Sequence, residues 1–239
     1  MKSLILAGGF ARRLAPLTDF VAKPLLPLSD KLVIDWVMER INELEIDEIG
    51  ISTNSYYEKQ FRYWIKCRTE NIKLIIEPTQ SENEKLGAIA GIKYAMDRMG
   101  HDEYLVIAGD NVFDFSLQKM LNFYRKIMKP VLAVYNVEDI DKAKRFGVVT
   151  VDENWKIINM QEKPKIPESS LISTATYIFT KDTKKMLEEY LAGMKNHDSL
   201  GYFFSWLSEN YEVYAYPYKG LWKDIGNLNE YRELFRKLK

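Results

Sequence analysis

Short apolar runs bounded by glycine, proline or aspartate alternate along this chain with longer stretches whose apolar residues recur three and four positions apart. The first pattern is that of buried strands and the second that of amphipathic helices packed on them. Strands are expected at Ser3–Ala7, Glu48–Thr53, Lys73–Glu77, Tyr104–Ala108 and Val131–Asn136, with helices at Val33–Leu44, Tyr56–Ile65, Gly87–Met99 and Leu117–Met128. This alternation predicts a largely parallel, doubly wound sheet. From Gly147 the strands come closer together, at Val148–Val151, Lys156–Met160, Thr174–Phe179 and Val213–Tyr216, with helices at Asp182–Leu191, Gly201–Asn210 and Leu228–Leu238. The second half therefore reads as mixed or antiparallel. No repeat, low-complexity segment or Gly/Ser-rich linker separates the halves, so they are expected to share one sheet and enclose a cleft. Ligands of open α/β sheets lie beyond the carboxyl ends of the strands, which points to residues just after Ala7, Glu77 and Ala108.

Composition narrows the function classes. A chain of 239 residues, 46% hydrophobic and 13% aromatic, can build one large α/β domain. Its 34 Lys+Arg balance 34 Asp+Glu, so no global field draws nucleic acid or an anionic membrane, and neither is expected as a partner. Phosphate binding must then be local. The apolar run after Met1 is too short for a secretory core or a membrane span, and a soluble cytoplasmic protein is expected. Cys67 is the sole cysteine, and the two histidines, His101 and His197, are expected at the surface, which leaves little material for a zinc site or a His-based triad.

The candidate chemistry begins directly after the first strand. Gly8 and Gly9 carry no side chains, so their backbone N–H groups can cradle phosphate oxygens. Arg12, Arg13 and Lys23 follow and can neutralise phosphate charge. Neither the G-x-G-x-x-G fingerprint of dinucleotide sites nor a G-x-x-x-x-G-K-[ST] loop is present there. Further on, the apolar strand Tyr104–Ala108 runs into Gly109-Asp110-Asn111, setting a carboxylate at the strand's carboxyl end.

The segment Leu6-Ala-Gly-Gly-Phe-Ala-Arg-Arg-Leu-Ala-Pro-Leu-Thr18, followed by Lys23-Pro-Leu-Leu-Pro27, resembles the signature of the sugar-1-phosphate nucleotidylyltransferases, most of all the short glucose-1-phosphate thymidylyltransferases. The resemblance implies an α/β fold, a Rossmann-like doubly wound mixed sheet of the nucleotide-diphospho-sugar transferase type. It implies a single domain over residues 1–239, with a nucleotide-binding half at 1–137 and a sugar-phosphate-binding half at 138–239. The implied reaction moves a nucleotidyl group from an NTP, dTTP or UTP favoured, to a sugar 1-phosphate, glucose 1-phosphate favoured, with Mg2+ as cofactor and pyrophosphate as the second product. Leu6, Ala7, Gly8 and Gly9 would bind the nucleotide, Arg13 would be the transition-state arginine, and Lys23 would position the phosphates. Ala11-Arg12 departs from the Gly-Thr of many relatives.

Other elements extend the likeness. Asp110 and, in Leu221-Trp-Lys-Asp-Ile-Gly226, Asp224 are the implied magnesium ligands, in keeping with the ion's preference for one or two carboxylates completed by substrate phosphates. Gln161-Glu-Lys-Pro164 resembles the family's E-E-K-P element, which makes Lys163 the grip on the sugar's phosphate and Glu162 the acceptor for its hydroxyls. Gly147, Tyr177 and Asn111 are the remaining sugar-site candidates, although Ala175 stands where relatives carry glycine. Relatives read a pyrimidine with a glutamine at the end of the third strand and a glycine shortly after. Here Gly87 supplies the glycine, but Glu77 by strand register or Glu82 by spacing replaces the glutamine. An ionised carboxylate only accepts hydrogen bonds, so it suits guanine or cytosine donors better than the carbonyls of thymine or uracil.

Two readings stay beside this one: a GTP- or CTP-dependent enzyme acting on another sugar phosphate or a non-sugar phosphate, and a catalytically silent binding subunit. The resemblance implies neither a left-handed β-helix domain nor the regulatory tail of longer thymidylyltransferases, and a homo-oligomer is left open.

Overall fold

A computed structural model describes residues 1–193 and 196–238. In chain order the elements are β1 (Lys2–Leu6), β2 (Pro27–Leu28), β3 (Lys31–Leu32), α1 (Val33–Ile41), β4 (Ile49–Asn54), α2 (Glu58–Ile65), β5 (Ile72–Glu77), α3 (Ala88–Met99), β6 (Tyr104–Ala108), β7 (Asn111–Phe113), α4 (Leu117–Ile127), β8 (Val131–Asn136), α5 (Ile140–Ala143), β9 (Gly147–Val151), β10 (Ile157–Glu162), β11 (Leu171–Phe179), α6 (Thr183–Gly193), α7 (Leu200–Asn210), β12 (Tyr214–Tyr218), β13 (Trp222–Asp224) and α8 (Leu228–Lys237).

Nine strands form one mixed sheet, whose main path runs β10-β9-β11-β6-β1-β4-β5, with β8 joining β11 to β12. Strands β6, β1, β4 and β5 are mutually parallel, with Leu6 opposite Ala108 and Asn54 opposite Glu77. Their carboxyl ends thus line up along one edge of the sheet. Beyond β6 the sheet turns antiparallel at β11, β9 and β10, as the closer strand spacing predicts. Strand β8 is a correction. It pairs with β11 and β12 instead of extending the parallel set, because the antiparallel β11 occupies the edge of β6.

Period-two alternation buries both sheet faces. Ile5, Leu105, Ile107, Val131 and Ala133 join the core under α1, α2 and α4, while Leu4, Tyr104, Val106, Leu132 and Val134 join the core under α3, α6 and α7. A smaller cluster, including Leu14, Val112, Ile225 and Leu234, seats α8 against the glycine loop and β7.

Local chemistry sets the element ends. Helix α2 starts at Glu58, two residues after the expected Tyr56, because the Asn54 side chain accepts the Tyr57 N–H at 2.9 Å and holds a turn. Asn227 caps α8 by accepting from the N–H groups of Asn229 and Glu230. His197 is half-buried rather than superficial, its carbonyl accepting the Ile89 N–H at 3.1 Å in the first turn of α3. Among the described residues no helix is long and apolar enough to cross a membrane.

Candidate active site

Two cavities, of about 500 and about 590 Å3, open at the carboxyl ends of β1, β5 and β6. Leu6, Arg13, Ala88 and Asp198 lie in the walls of both, so they are lobes of a single cleft with Arg13 at the junction.

The first lobe is built on the loop after β1. Gly8 and Gly9 line it with Arg12 and Arg13, and both arginines are exposed. The loop is held from behind, where Asn54 Nδ2 donates to the Gly8 carbonyl at 2.9 Å and Thr18 Oγ1 donates to the Ala11 carbonyl. Ala11 itself sits at φ 48°, a left-handed conformation that glycine adopts more easily. Leu6 faces the lobe, as expected. Ala7 does not: it is buried, and both its backbone groups are tied to β4, through Ser52 and Thr53. Successive residues of a strand face opposite ways, so Leu6 and Ala7 cannot both reach the cleft.

Glu77, Glu82 and Gly87 all line this lobe. Glu77 is half-buried, and a Cβ added at Gly8 or at Gly91 would stand 3.1 or 3.0 Å from its Oε1. Ser52 Oγ donates to that same oxygen at 2.8 Å. Burial pushes the Glu77 carboxyl above its usual range, with the Ser52 hydrogen bond working against it. Glu82 lies farther out on a single helical turn and pairs with Lys85 at 3.0 Å, while Lys85 also reaches Asp198 at 3.5 Å. Gly87, at φ 83°, opens α3.

Asp110 and Asp224, which line the second lobe, converge on Lys23, whose Nζ stands 2.5 Å from Asp110 Oδ2 and 3.4 Å from Asp224 Oδ1. The pairing of β7 with β13 brings these carboxylates together by setting Asp224 across from Asn111. Burial disfavours the Lys23 ammonium, yet the charges and hydrogen bonds of Asp110 and Asp224 outweigh it and hold Lys23 above the ordinary lysine value. Burial and the like charge of Asp110 push the Asp224 carboxyl up, against the pull of Lys23. Two hard carboxylates converging on one cationic group form a donor set that could hold magnesium. Among the described residues no group of three or more His, Cys, Asp and Glu side chains assembles into a metal cage, so the remaining oxygens would come from substrate and water.

The second lobe contains Gly147, Glu162, Lys163 and Tyr177, as expected, together with Asp110 and Asp224. Lys163 is mostly exposed and its Nζ lies 3.2 Å from Glu162 Oε1, whose side chain is buried. Gly147 and Gly201 make room for that carboxylate: an added Cβ would fall 3.3 and 1.9 Å from Glu162 Oε2. Tyr177 is buried, stacks on Phe204 with ring centroids 4.6 Å apart and meets Ser173 Oγ at 3.3 Å. Ala175 lines the lobe at φ 53° in the β11 irregularity between Ser173 and Tyr177. Asn111 is a second correction. It is buried, donates to the Thr174 carbonyl at 2.5 Å and is absent from the lobe's wall, because the residue after a cleft-facing aspartate turns into the sheet.

Four positions were missed by sequence reading. Arg145 lines the second lobe and donates to Glu230 at 2.6 Å, and its place directly before Phe146-Gly147 was a usable signal. Gly91 was legible as a glycine inside a helical pattern, which generally has a packing reason. Asp198 sits in a stretch with no periodic signal, and Gly201, at the start of the expected helix, carried no chemical one.

Comparison with known proteins agrees with this geometry. The sequence pattern described as "Nucleotidyl transferase" matches residues 2–239. The glucose-1-phosphate adenylyltransferase of Clostridioides difficile (strain 630) is 31% identical over 250 residues, covering 95% of this chain and 64% of that protein. The enzyme of the same name from Clostridium beijerinckii is 31% identical over 245 residues, covering 95% and 63%. The chain thus spans somewhat less than two thirds of the length of these curated relatives. Among solved structures, a protein from Bacillus anthracis described as a glucose-1-phosphate thymidylyltransferase, in complex with a sucrose, superimposes with a TM-score of 0.86 at 22% identity over 100% of this chain and 95% of its own. A UDP-glucose pyrophosphorylase complexed with UDP-glucose gives 0.84 at 21% identity over 99% and 97%. These two likenesses establish the nucleotide-diphospho-sugar transferase fold, and with the match over residues 2–239 the chain belongs to the nucleotidyl transferase family.

Proposed function

We propose that this chain transfers a nucleotidyl group from an NTP to a sugar 1-phosphate, glucose 1-phosphate foremost, and releases pyrophosphate. The observation that carries the reading is the Lys23–Asp110–Asp224 cluster, whose carboxylates line the second of two lobes that share Arg13. The names of the relatives support it: all of those above concern glucose, while the base differs among adenylyl, thymidylyl and uridylyl. The dTTP or UTP favoured by sequence resemblance is therefore one option among several.

In this reading an oxygen of the sugar phosphate attacks the α-phosphorus, a new P–O bond forms, and the bond to the bridging oxygen breaks as pyrophosphate departs with its electrons. The attacking phosphate is already ionised at neutral pH, so no general base is required. The amides of Gly8 and Gly9 and the guanidinium of Arg13 hold the triphosphate and neutralise charge moving toward the leaving group. Lys163 grips the acceptor phosphate, and Glu162 accepts hydrogen bonds from sugar hydroxyls. Lys23, kept protonated by its two carboxylates, holds Asp110 and Asp224 toward a common point. Those aspartates would hold magnesium, which supplies further charge neutralisation on phosphate oxygens when bound. Residues 1–137 would serve mainly the nucleotide and 138–239 mainly the sugar phosphate.

An activity matrix of NTPs against sugar 1-phosphates with Mg2+, read by pyrophosphate release and NDP-sugar formation, tests the proposal. Turnover with glucose 1-phosphate and at least one NTP is expected. Turnover only with choline- or polyol-phosphates would replace the sugar by another acceptor, and none at all would favour a silent subunit.

A further inference from the structure

Within the nucleotide lobe the charged groups divide by position. Arg12 and Arg13 stand on the glycine loop, exposed, as cations for phosphate. Glu82, Lys85 and Asp198 are bound to one another at the more exposed side, Lys85 bridging both carboxylates. Among the described charged residues of this lobe, Glu77 is the one set back between two backbones, at Gly8 on the loop and Gly91 on α3, where a methyl group at either position would press on its Oε1. The carboxylate is therefore the group left to face a nucleobase edge, and the glycine and alanine surface of α3 beside it leaves room for a flat ring.

Resting on the nucleotidyl-transfer reading above, we propose that Glu77 reads the base as an ionised double acceptor and selects guanine, so that GTP is the preferred nucleotide. Guanine is the one common base with two adjacent donors on its pairing edge, N1–H and N2–H2, which match the two oxygens of a carboxylate. Uracil and thymine flank N3–H with two carbonyl acceptors that repel a carboxylate, and adenine and cytosine set a single amino donor beside a ring acceptor. The Ser52 hydrogen bond is compatible with this role. It occupies one lone pair of Oε1 and fixes the plane of the group, leaving the second lone pair of Oε1 and all of Oε2 for the ligand. Burial, which disfavours the bare carboxylate, makes two ligand donors more valuable to it.

The test uses the full chain with GTP, ITP, ATP, CTP, UTP and dTTP, measuring both equilibrium binding and kcat/KM with glucose 1-phosphate and Mg2+. GTP is expected to lead UTP and dTTP by about a hundredfold, and ITP, which lacks the N2 amino group, to fall about tenfold below GTP. Glu77→Gln presents one donor and one acceptor in the same volume, and should lower the GTP-to-UTP ratio by about ten- to a hundredfold. A wild-type preference for UTP, dTTP, ATP or CTP, equal use of ITP and GTP, or a ratio unmoved by Glu77→Gln overturns the proposal, as does a ratio that moves with Glu82→Gln instead. If Glu77→Gln does not fold, the GTP–ITP–UTP series on the wild-type chain decides alone. Tight GTP binding that Glu77→Gln reverses, without turnover on any sugar phosphate, would overturn the transfer reaction and leave the base assignment standing.

Discussion

The two lobes of the cleft use the same device with different partners. In the first lobe, proposed for the nucleotide, Glu77 is seated between Gly8 and Gly91, and in the second, proposed for the sugar phosphate, Glu162 is seated between Gly147 and Gly201. Each carboxylate fills space that two missing side chains leave open. What differs is the group beside it. Among the described residues Glu77 is paired with the neutral Ser52 hydroxyl, whereas Glu162 has the Lys163 ammonium at 3.2 Å. A carboxylate with a neutral neighbour stays under-solvated until a ligand brings donors to it, which suits the edge of a base. One that already has a counter-charge can take up several weak hydroxyl donors in turn, which suits a sugar. Asp110 and Asp224 of the Lys23 cluster line the second lobe near Arg13, which lines both, so substitutions at Arg13 and at this cluster are the ones expected to affect both substrates together.

The sharpest way to break this comparison is at that cluster. Asp110→Asn removes the closest partner of Lys23 and one of two carboxylates available to a cation, so pyrophosphate release should fall about a thousandfold or more whichever substrate is varied. The melting temperature should stay within a few degrees, since the side chain lies on the cleft rather than in the core.

Next in size comes Gly201→Ala. Its methyl group would lie 1.9 Å from Glu162 Oε2, so the carboxylate or the start of α7 must move. The KM for the sugar phosphate should rise about tenfold with the KM for NTP unchanged, and overpacking should cost about 1–3 kcal/mol on a denaturant curve. Gly91→Ala is the counterpart in the other lobe, with a contact of 3.0 Å to Glu77 Oε1. Here the KM for NTP should rise about threefold to tenfold while that for the sugar phosphate holds. The gain of about 1 kcal/mol in helix propensity at this mid-α3 position should offset most of the strain in a melting curve. Equal effects of the two alanines on both substrates would erase the distinction between the lobes.

Much of this was legible in the sequence because the signals were chemical as well as periodic. The parallel strands are largely apolar runs, and three of them stop at a residue that lines the cleft, β1 at Leu6, β5 at Glu77 and β6 at Ala108. Lys23, Asp110, Glu162, Lys163 and Asp224 sit in motifs whose residue types match phosphate and metal chemistry. The errors came from reading motifs as if every member faced the cleft. Asn111 and Ala7 belong to the right segments, but strand alternation turns each of them away from the cleft. The β7–β13 pairing was illegible, because Asn-Val-Phe and Trp-Lys-Asp are too short to show a period, yet it unites the two aspartates. Choosing between Glu77 and Glu82 likewise required knowing where Gly8 and Gly91 stand.

The smallest effect is expected at Ala175, a non-glycine residue held at φ 53° where the sugar lobe meets the β11 irregularity. Ala175→Gly should relieve about 1 kcal/mol of backbone strain, partly cancelled by the greater chain entropy of glycine, and so raise the melting temperature slightly. A clear fall would show that the alanine methyl contributes packing that outweighs the strain.

The central claim, that the two lobes bind two substrates which react beside the Lys23 cluster, is tested most directly by pyrophosphate release with each component withheld in turn. With NTP, glucose 1-phosphate and Mg2+ together, pyrophosphate should appear in equal amount to NDP-glucose, and leaving out the sugar phosphate or the metal should abolish it. Pyrophosphate released at the same rate from NTP alone, or none from any NTP with any sugar 1-phosphate, would contradict the account.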